Sequence, residues 1–253
     1  MIGYSIAMTI DLSETEINLL GLIHDELHIQ DDPEMVRLAL VRKNGNILKH
    51  IDAQTEEICL EAVKQNGLAL KYVKDQTEEI CLIAVKQDGL ALTYVKDQTE
   101  EMCWIAVEEN GYALEFIENQ TEEMCLMAVR EFGCALQFVK EQTEDVCRAA
   151  VDRDYGALMY VKNQTEELCL DAVRKRAFAL YYVRDKTDEI CFEAIKSEPV
   201  SITYIEKPSL DMCLLVMSEF DDAILNFLSD PETIEMCKDI LRDRGFVVDK
   251  VID

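Results

Sequence analysis

The sequence predicts an all-α fold, an αα solenoid of about ten 22-residue helix–turn–helix repeats with atypical ends. The first observation is an internal repeat: residues 54–75 read QTEEICLEAVKQNGLALKYVKD and residues 76–97 read QTEEICLIAVKQDGLALTYVKD. The second is a cysteine that recurs every 22 residues from Cys59 to Cys213 and returns at Cys237 after an insertion of two residues. The third is that each half of the repeat carries apolar residues at helical spacing.

The first half of the repeat predicts a helix of about 11 residues. Thr55 is a good N-cap because its hydroxyl can accept a hydrogen bond from a backbone N–H group, and the Glu56–Glu57 pair complements the helix dipole. We expect Gly67 to end the helix in the left-handed conformation that glycine adopts easily. One side of this helix is apolar and comprises Ile58, Cys59, Ala62 and Val63.

The second half predicts a helix of about eight residues, which depends on packing for its stability. Its apolar side comprises Ala69, Leu70 and Val73. Neither helix can bury its apolar side within one repeat, so neighbouring repeats must stack. A leucine-rich-repeat-like α/β solenoid is the alternative, because its period also covers 22 residues and the segment LKYVK would suit a strand. The L-x-x-L-x-L-x-x-N framework of that fold is missing, which favours the helical solenoid.

The ends of the chain differ from its middle. Residues 1–31 form an N-terminal capping segment, in which a capping box at Ser13 and Glu16 predicts a helix over about residues 13–28. Residues 32–253 hold the ten repeats, and those from about residue 208 onward are degenerate and predict a C-terminal cap. Pro33 and Pro231 each follow an aspartate and predict the first residue of a helix.

The composition is strongly acidic, with 25 basic and 51 acidic side chains and a formal net charge of −26. Such a surface repels nucleic acid and anionic membranes, so we expect neither as a partner. The charge favours a protein or peptide of basic character; a homo-oligomer is possible but not indicated. The sequence has no apolar run long enough to span a membrane and no secretory signal, which predicts a cytoplasmic protein.

The ten cysteines predict neither disulfides nor a metal site. Equivalent cysteines on stacked helices should lie about 8–10 Å apart. A disulfide needs Cα atoms within about 7 Å, and zinc needs its sulfur ligands almost in contact. We therefore expect each recurring cysteine to be a free thiol that fills a small space in the core, which suits a reducing compartment.

Little in the sequence indicates catalysis. His24 and His28 lie four residues apart on the predicted N-terminal helix and resemble the metal-binding histidines of an H-E-x-x-H metallohydrolase. Asp25 stands where that motif has glutamate, and its shorter side chain would not reach a zinc-bound water. Phosphate-binding glycine loops are absent as well. We expect no enzyme, no catalytic residues, no metal and no cofactor, with a metal-dependent hydrolase at His24 and His28 as a remote alternative.

Two sets of equivalent residues are candidates for binding a partner. The first, which we call the aromatic column, comprises Tyr72, Tyr94, Phe116, Phe138, Tyr160, Tyr182 and Tyr204. It either packs between repeats or forms a partly exposed ladder that contacts a partner. The second is a carboxylate pair at the start of each first helix, which either compensates the helix dipole or forms an acidic ridge. Its candidate binding residues are Glu57, Glu79, Glu101 and Glu123.

The repeat Q-T-E-E-[IM]-C-x-x-A-V-x-x-x-G-x-A-L-x-[YF]-[VI] resembles a family of uncharacterised tandem repeats. That family is abundant in the giant DNA viruses of amoebae and carries a domain-of-unknown-function label. The resemblance covers about residues 32–253 and is strongest over residues 54–185. It implies an all-α repeat protein that acts in a host cytoplasm, and it implies no particular activity.

These observations predict a non-enzymatic scaffold for protein–protein interaction with an extended acidic and partly aromatic surface. Positions 61, 64, 65 and 71 and their equivalents vary between repeats, so we expect them to select the partner. An acidic decoy that sequesters basic proteins is one alternative. A structural spacer or assembly component is another.

Overall fold

The computed structural model describes residues 33–220 and 231–243, where α-helices alternate with short 3₁₀ helices up to Tyr204. The α-helices are α1 (Pro33–Lys43), α2 (Glu56–Gln65), α3 (Glu78–Gln87), α4 (Glu100–Glu109), α5 (Glu122–Glu131), α6 (Glu144–Arg153), α7 (Glu166–Lys175), α8 (Asp188–Ser197), α9 (Leu210–Phe220) and α10 (Pro231–Asp243). The 3₁₀ helices span Gly45–His50, Gly67–Tyr72, Gly89–Tyr94, Gly111–Phe116, Gly133–Phe138, Tyr155–Tyr160, Ala177–Tyr182 and Pro199–Tyr204. No strand occurs in the described ranges, so the all-α prediction is confirmed there and the α/β alternative is wrong.

The ends of the repeat array are described only in part. α1 and α10 begin at Pro33 and Pro231, as predicted. The predicted capping helix over residues 13–28 lies outside the described residues, as do residues 221–230 and 244–253 of the predicted C-terminal cap.

The chain forms two compact modules. The N-terminal module comprises the described residues up to Glu131 together with Phe138–Lys140. The C-terminal module comprises Phe132–Gln137 and the described residues from Glu141 onward. Within each module, successive α-helices pack side by side, and the 3₁₀ helices pack against the α-helices and against each other.

The start of each α-helix follows the prediction. The Thr55 hydroxyl oxygen accepts a hydrogen bond from the Ile58 N–H group at 3.4 Å, and Glu56 and Glu57 occupy the first turn of α2. The buried side of α2 is the predicted one: Ile58, Cys59, Ala62 and Val63. The same cap recurs at Thr77, Thr99, Thr121, Thr143, Thr165 and Thr187. A threonine followed by two carboxylates therefore fixes where each helix from α2 to α8 begins.

The glycine after each α-helix has a different role from the predicted one. Asn66 ends α2 in an extended conformation with φ −151°, and Gly67 is the first residue of the next 3₁₀ helix. None of the six glycines in the described ranges has a left-handed backbone, so the predicted C′ role is wrong. A Cβ atom at Gly67 would lie 2.4 Å from the carbonyl oxygen of Ala84 in the next repeat. The glycine is there because two repeats approach closely.

The second helix of each repeat is a 3₁₀ helix and is shorter than the predicted eight residues. The segment Gly67–Tyr72 is a 3₁₀ helix of six residues, after which the Val73 N–H group donates to the Leu70 carbonyl oxygen at 3.0 Å. The Asn66 side chain caps it by accepting from the Leu68 N–H group at 3.1 Å. Both helix types place residues three apart on one side. Leu70 and Val73 are therefore buried together, as predicted.

A glutamine before each Thr cap from Thr55 to Thr165 joins neighbouring repeats, a role that was not predicted. The Gln120 Nε2 group donates to the carbonyl oxygens of Leu114 and Phe138, both at 2.8 Å, and Oε1 accepts from the Lys140 N–H group at 2.9 Å. Leu114 belongs to the preceding repeat, whereas Phe138 and Lys140 end the repeat that Gln120 begins. Equivalent Nε2 bonds are made by Gln54, Gln76, Gln98, Gln142 and Gln164. One side chain thus holds three backbone segments together.

The ten cysteines are free thiols, and all except Cys134 are buried. This confirms the predicted place of the recurring cysteine in the core, where burial raises the thiol pKa, to about 11 for Cys59. At the last pair, the neighbouring Cys237 thiol raises the pKa of Cys213, and burial raises it further.

Ser201 takes the place of an alanine that lines the core in the preceding repeats. It is fully buried, and its hydroxyl has no hydrogen-bond partner among the described residues. An unsatisfied buried hydroxyl costs about 1–3 kcal/mol. We expect Ser201→Ala to raise the free energy of unfolding by about 1 kcal/mol in urea denaturation followed by circular dichroism. Ala179→Ser is the reverse change and should lower it; a Ser201→Ala protein no more stable than its parent would contradict the burial argument.

Candidate interaction surface

None of the seven residues of the aromatic column is buried in the core. Six of them are half-buried, and Tyr94 is exposed at 37%. Each lies at or near the end of a 3₁₀ helix, where the residues on either side of it differ in burial: Lys71 is exposed and Val73 is buried. Every ring of the column therefore combines packing within a repeat with a face or edge that is open to solvent.

The first ring of the column already binds a cation from its own chain. In the N-terminal module, the Lys71 ammonium lies 4.7 Å from the centroid of the Tyr72 ring. This is a cation–π geometry. The position equivalent to Lys71 carries no cation in the following repeats, where it is Thr93, Glu115, Gln137, Met159 and Tyr181. Their rings therefore lack such a cation at the adjacent position.

In the C-terminal module, aromatic residues outside the column join it to form an exposed cluster. The Tyr181 ring contacts Tyr182 and Tyr204 with centroid distances of 4.9 and 5.5 Å, and both contacts are edge-to-face. Tyr155 lies 6.1 Å from Tyr182, and Phe178 lies 6.2 Å from Tyr204. Tyr181 is 63% exposed. We call these five residues the tyrosine cluster.

Two members of the tyrosine cluster could have been recognised from the sequence by the residues they replace. Tyr155 takes the place of the recurring glycine, and Phe178 takes the place of a residue that is leucine in the first repeats, Leu68 and Leu90. Both changes put an aromatic ring at a position that is exposed in the C-terminal module. A large apolar residue that replaces a small or half-buried one, without joining the core, is the signal that identifies such a surface.

In the N-terminal module, Phe116 lines an acidic groove with a volume of about 800 Å³. Three acidic residues, Asp97, Glu100 and Glu118, line the same groove together with one basic residue, Lys96. Phe116 is thus a member of the aromatic column that lies beside several acidic residues. The groove can receive a basic side chain against both charge and a ring.

The acidic groove lies where a ladder of basic side chains is interrupted. At this loop position a basic side chain donates to the backbone carbonyl 22 residues earlier, at 2.9–3.2 Å, in the rungs Lys74, Lys96, Lys140 and Arg184. Glu118 takes that position in the repeat between Lys96 and Lys140 and cannot donate. We therefore attribute the groove to a missing rung.

Completing the ladder is expected to stabilise the chain and to narrow the groove. In Glu118→Lys the new ammonium can donate to the Lys96 carbonyl, so the free energy of unfolding should rise by about 0.5–1 kcal/mol. Glu141→Lys makes the same change of charge at an exposed loop position and serves as the matched control in guanidinium denaturation. Equal stability of the two variants would contradict the role of the missing rung.

The predicted acidic ridge is exposed along the α-helices. Glu57, Glu79, Glu101 and Glu123 lie in the first turns of α2, α3, α4 and α5, and all four side chains are exposed. In α4 the first carboxylate of the pair, Glu100, lines the acidic groove together with Phe116. Whether either set binds a partner stays a prediction.

The described residues offer no centre for metal chemistry. No group of three or more histidine, cysteine, aspartate or glutamate side chains there is arranged to hold a metal ion. His24 and His28 lie outside the described residues. Among the helices of the described ranges, none is both long and apolar enough to cross a membrane.

Comparison with known proteins finds a similar repeat domain and indicates no activity. A family model described as Domain of unknown function (DUF4116) matches the chain three times, at residues 32–76, 55–99 and 77–121. Each match spans about two repeats and begins about one repeat after the previous match. The N-terminal part of the chain is therefore similar to an uncharacterised tandem-repeat domain. No curated protein and no solved structure matches the chain.

Proposed function

We propose that this chain is a non-enzymatic scaffold that binds a basic segment of a partner protein along the aromatic column. One observation carries the proposal: the rings of the column are all partly exposed, and the first of them, Tyr72, already holds a lysine ammonium over its face. In the repeats without that lysine, a lysine or arginine of the partner takes the equivalent place.

Two further features support a basic partner. The formal net charge of −26 draws cationic segments to the surface. The acidic groove and the tyrosine cluster then provide two places, one in each module, where a cation can contact rings. The buried free thiols suit a reducing compartment, so we place the scaffold in the cytoplasm.

The test is a selection from a phage-displayed peptide library against the wild-type chain. Tyr181→Ser/Tyr204→Ser removes two rings of the tyrosine cluster, and Met35→Ser, at a residue 58% exposed and outside the column, is the matched control. We expect the selected peptides to be rich in lysine and arginine and to bind the double variant about 10-fold more weakly, because cation–π contacts contribute about 1–2 kcal/mol. Met35→Ser should leave their affinity unchanged.

The salt dependence separates this scaffold from an acidic decoy. Contacts to rings survive when the salt concentration rises from about 0.1 to 0.5 M, whereas attraction between exposed charges is largely screened. Peptides that bind the Tyr181→Ser/Tyr204→Ser and Met35→Ser variants with equal affinity and dissociate at high salt would indicate an acidic decoy instead of a scaffold. A library that yields no binder would favour the alternative that the chain is a structural spacer.

A further inference from the structure

The outer side of three α-helices in the N-terminal module carries an apolar patch that includes no member of the aromatic column. Two adjacent positions in each of α3, α4 and α5 form it: Leu82, Ile83, Trp104, Ile105, Leu126 and Met127. All six side chains are partly exposed. α3 packs against α4 and α4 packs against α5, so the patch continues across the three helices.

This patch is not required by the core of the repeats. The core side of α4 is formed by other residues, among them Cys103 and Ala106, which are buried. The first of the two positions is apolar in most repeats, as at Leu60 and Leu170. At the second position, several other repeats carry a carboxylate that pairs with a neighbouring helix. In the N-terminal module Glu61 pairs with Arg42 at 2.9 Å.

In the C-terminal module, ion pairs between neighbouring α-helices also involve positions equivalent to the patch. Arg148 and Asp171, which are equivalent to Trp104 and Met127 in the repeats from α6 to α7, form an ion pair. Glu193 on α8 pairs with Arg174 on α7 at 3.1 Å. Ion pairs thus satisfy the second position in α2, α7 and α8, whereas three successive repeats have Ile83, Ile105 and Met127 in its place.

One edge of the apolar patch is uniformly acidic. Glu79, Glu101 and Glu123 each lie three residues before the first patch residue of their helix, which puts them on the same side, one turn away. All three are exposed, and no hydrogen bond or ion pair holds their carboxylates among the residues that the structure describes. A partner that covers the patch therefore meets three uncompensated negative charges in a row.

We infer that the apolar patch is a docking site for a basic amphipathic helix of a partner protein. The apolar side of such a helix covers Trp104 and its neighbours, and its lysines or arginines pair with Glu79, Glu101 and Glu123. Tryptophan is the residue type that most often dominates such contacts. The inference goes beyond the proposed function and does not depend on it, because the patch and the aromatic column share no residue.

Trp104 makes the inference measurable, because it is the single tryptophan of the chain. The probe is a tryptophan-free helical peptide of about 18 residues with leucines along one side and lysines beside them. We expect its binding to shift the Trp104 emission to shorter wavelength and to slow its quenching by acrylamide. The same peptide with glutamate in place of every lysine should cause neither change.

Three variants show whether the patch is responsible. Glu79→Gln/Glu101→Gln/Glu123→Gln should weaken binding about 10-fold or more, whereas Glu141→Gln/Glu189→Gln/Glu206→Gln, which removes the same charge elsewhere, should weaken it less than about 3-fold. Trp104→Arg/Met127→Asp places the residues of the natural Arg148–Asp171 pair at the patch and should abolish binding measured by calorimetry. Since the chain already accommodates that pair, this variant should keep its helical circular dichroism spectrum.

Three results would overturn the inference. The first is a Trp104 emission that stays unchanged at peptide concentrations up to about 1 mM, far above those at which such docking saturates. The second is an equal loss of affinity in the two triple variants, because the attraction would then depend on the overall charge of the chain. The third is a Trp104 emission that shifts when the protein concentration rises without peptide, because a second copy of the chain would then cover the patch.

Discussion

Gln120→Glu is expected to lower the free energy of unfolding by about 2–4 kcal/mol, although the two side chains have the same shape. The Gln120 Nε2 group donates to two backbone carbonyls, of Leu114 and Phe138, each at 2.8 Å. A carboxylate has no N–H group, so both carbonyls lose their donor and instead face a negative oxygen. Because these bonds are partly buried, water replaces them poorly.

The measurement is guanidinium denaturation followed by circular dichroism, with Gln137→Glu as the control. Gln137 is exposed and donates within its own 3₁₀ helix, to the Cys134 carbonyl, so its replacement should cost less than about 1 kcal/mol. The Gln120→Glu loss should shrink as the pH falls, since a protonated carboxyl can donate to one of the two carbonyls. Equal losses in the two variants would contradict the role of the glutamine in joining repeats.

Gly89→Ala is expected to destabilise the chain by about 2–3 kcal/mol, against the usual benefit of replacing glycine in a helix. The new methyl would lie 2.4 Å from the carbonyl oxygen of Ala106 in the next repeat. That oxygen belongs to the backbone and can move only if the two repeats separate. The strain therefore exceeds the roughly 0.4–1 kcal/mol gained from a less flexible unfolded chain.

Gly111→Ala is the matched control, because it is the same substitution at the equivalent position of the next repeat. There the nearest atoms, on Ala128, lie 3.1 Å from the added methyl, so a small shift relieves the contact. We expect a change within about 1 kcal/mol of zero by urea denaturation. If both variants are equally stable, close approach does not explain the glycines.

The α-helices could be predicted closely because their signals are local. Thr55 and the carboxylates after it specify a helix start through groups within four residues, and the stripe that includes Cys59 and Val63 specifies the buried side. The second helix was harder to predict, since α- and 3₁₀ helices both place Leu70 and Val73 on one side. A pattern of buried residues does not distinguish the two over six positions.

The contacts between repeats could not be predicted, because they depend on distances that no single repeat contains. Gly67 is compatible with a left-handed turn or a close approach, and only the position of Ala84 decides between them. Gln120 gave one signal, its recurrence at the same position from Gln54 to Gln164, but its acceptor carbonyls are visible only in three dimensions. Among the candidate binding residues, the sequence indicated which positions are aromatic, and the structure shows that they are partly exposed.

The central claim is that the rings of the aromatic column contact a basic partner segment. Hydroxyl-radical footprinting read by mass spectrometry tests it most directly, with the wild-type chain alone and with the tightest peptide from the library. We predict protection at Tyr94 or Phe116 in the N-terminal module, or at Tyr182 or Tyr204 together with Tyr181 in the C-terminal module. Exposed Met35 should remain as reactive as in the free chain. Protection that excludes every member of the aromatic column, in a complex that is saturated with peptide, would contradict the claim.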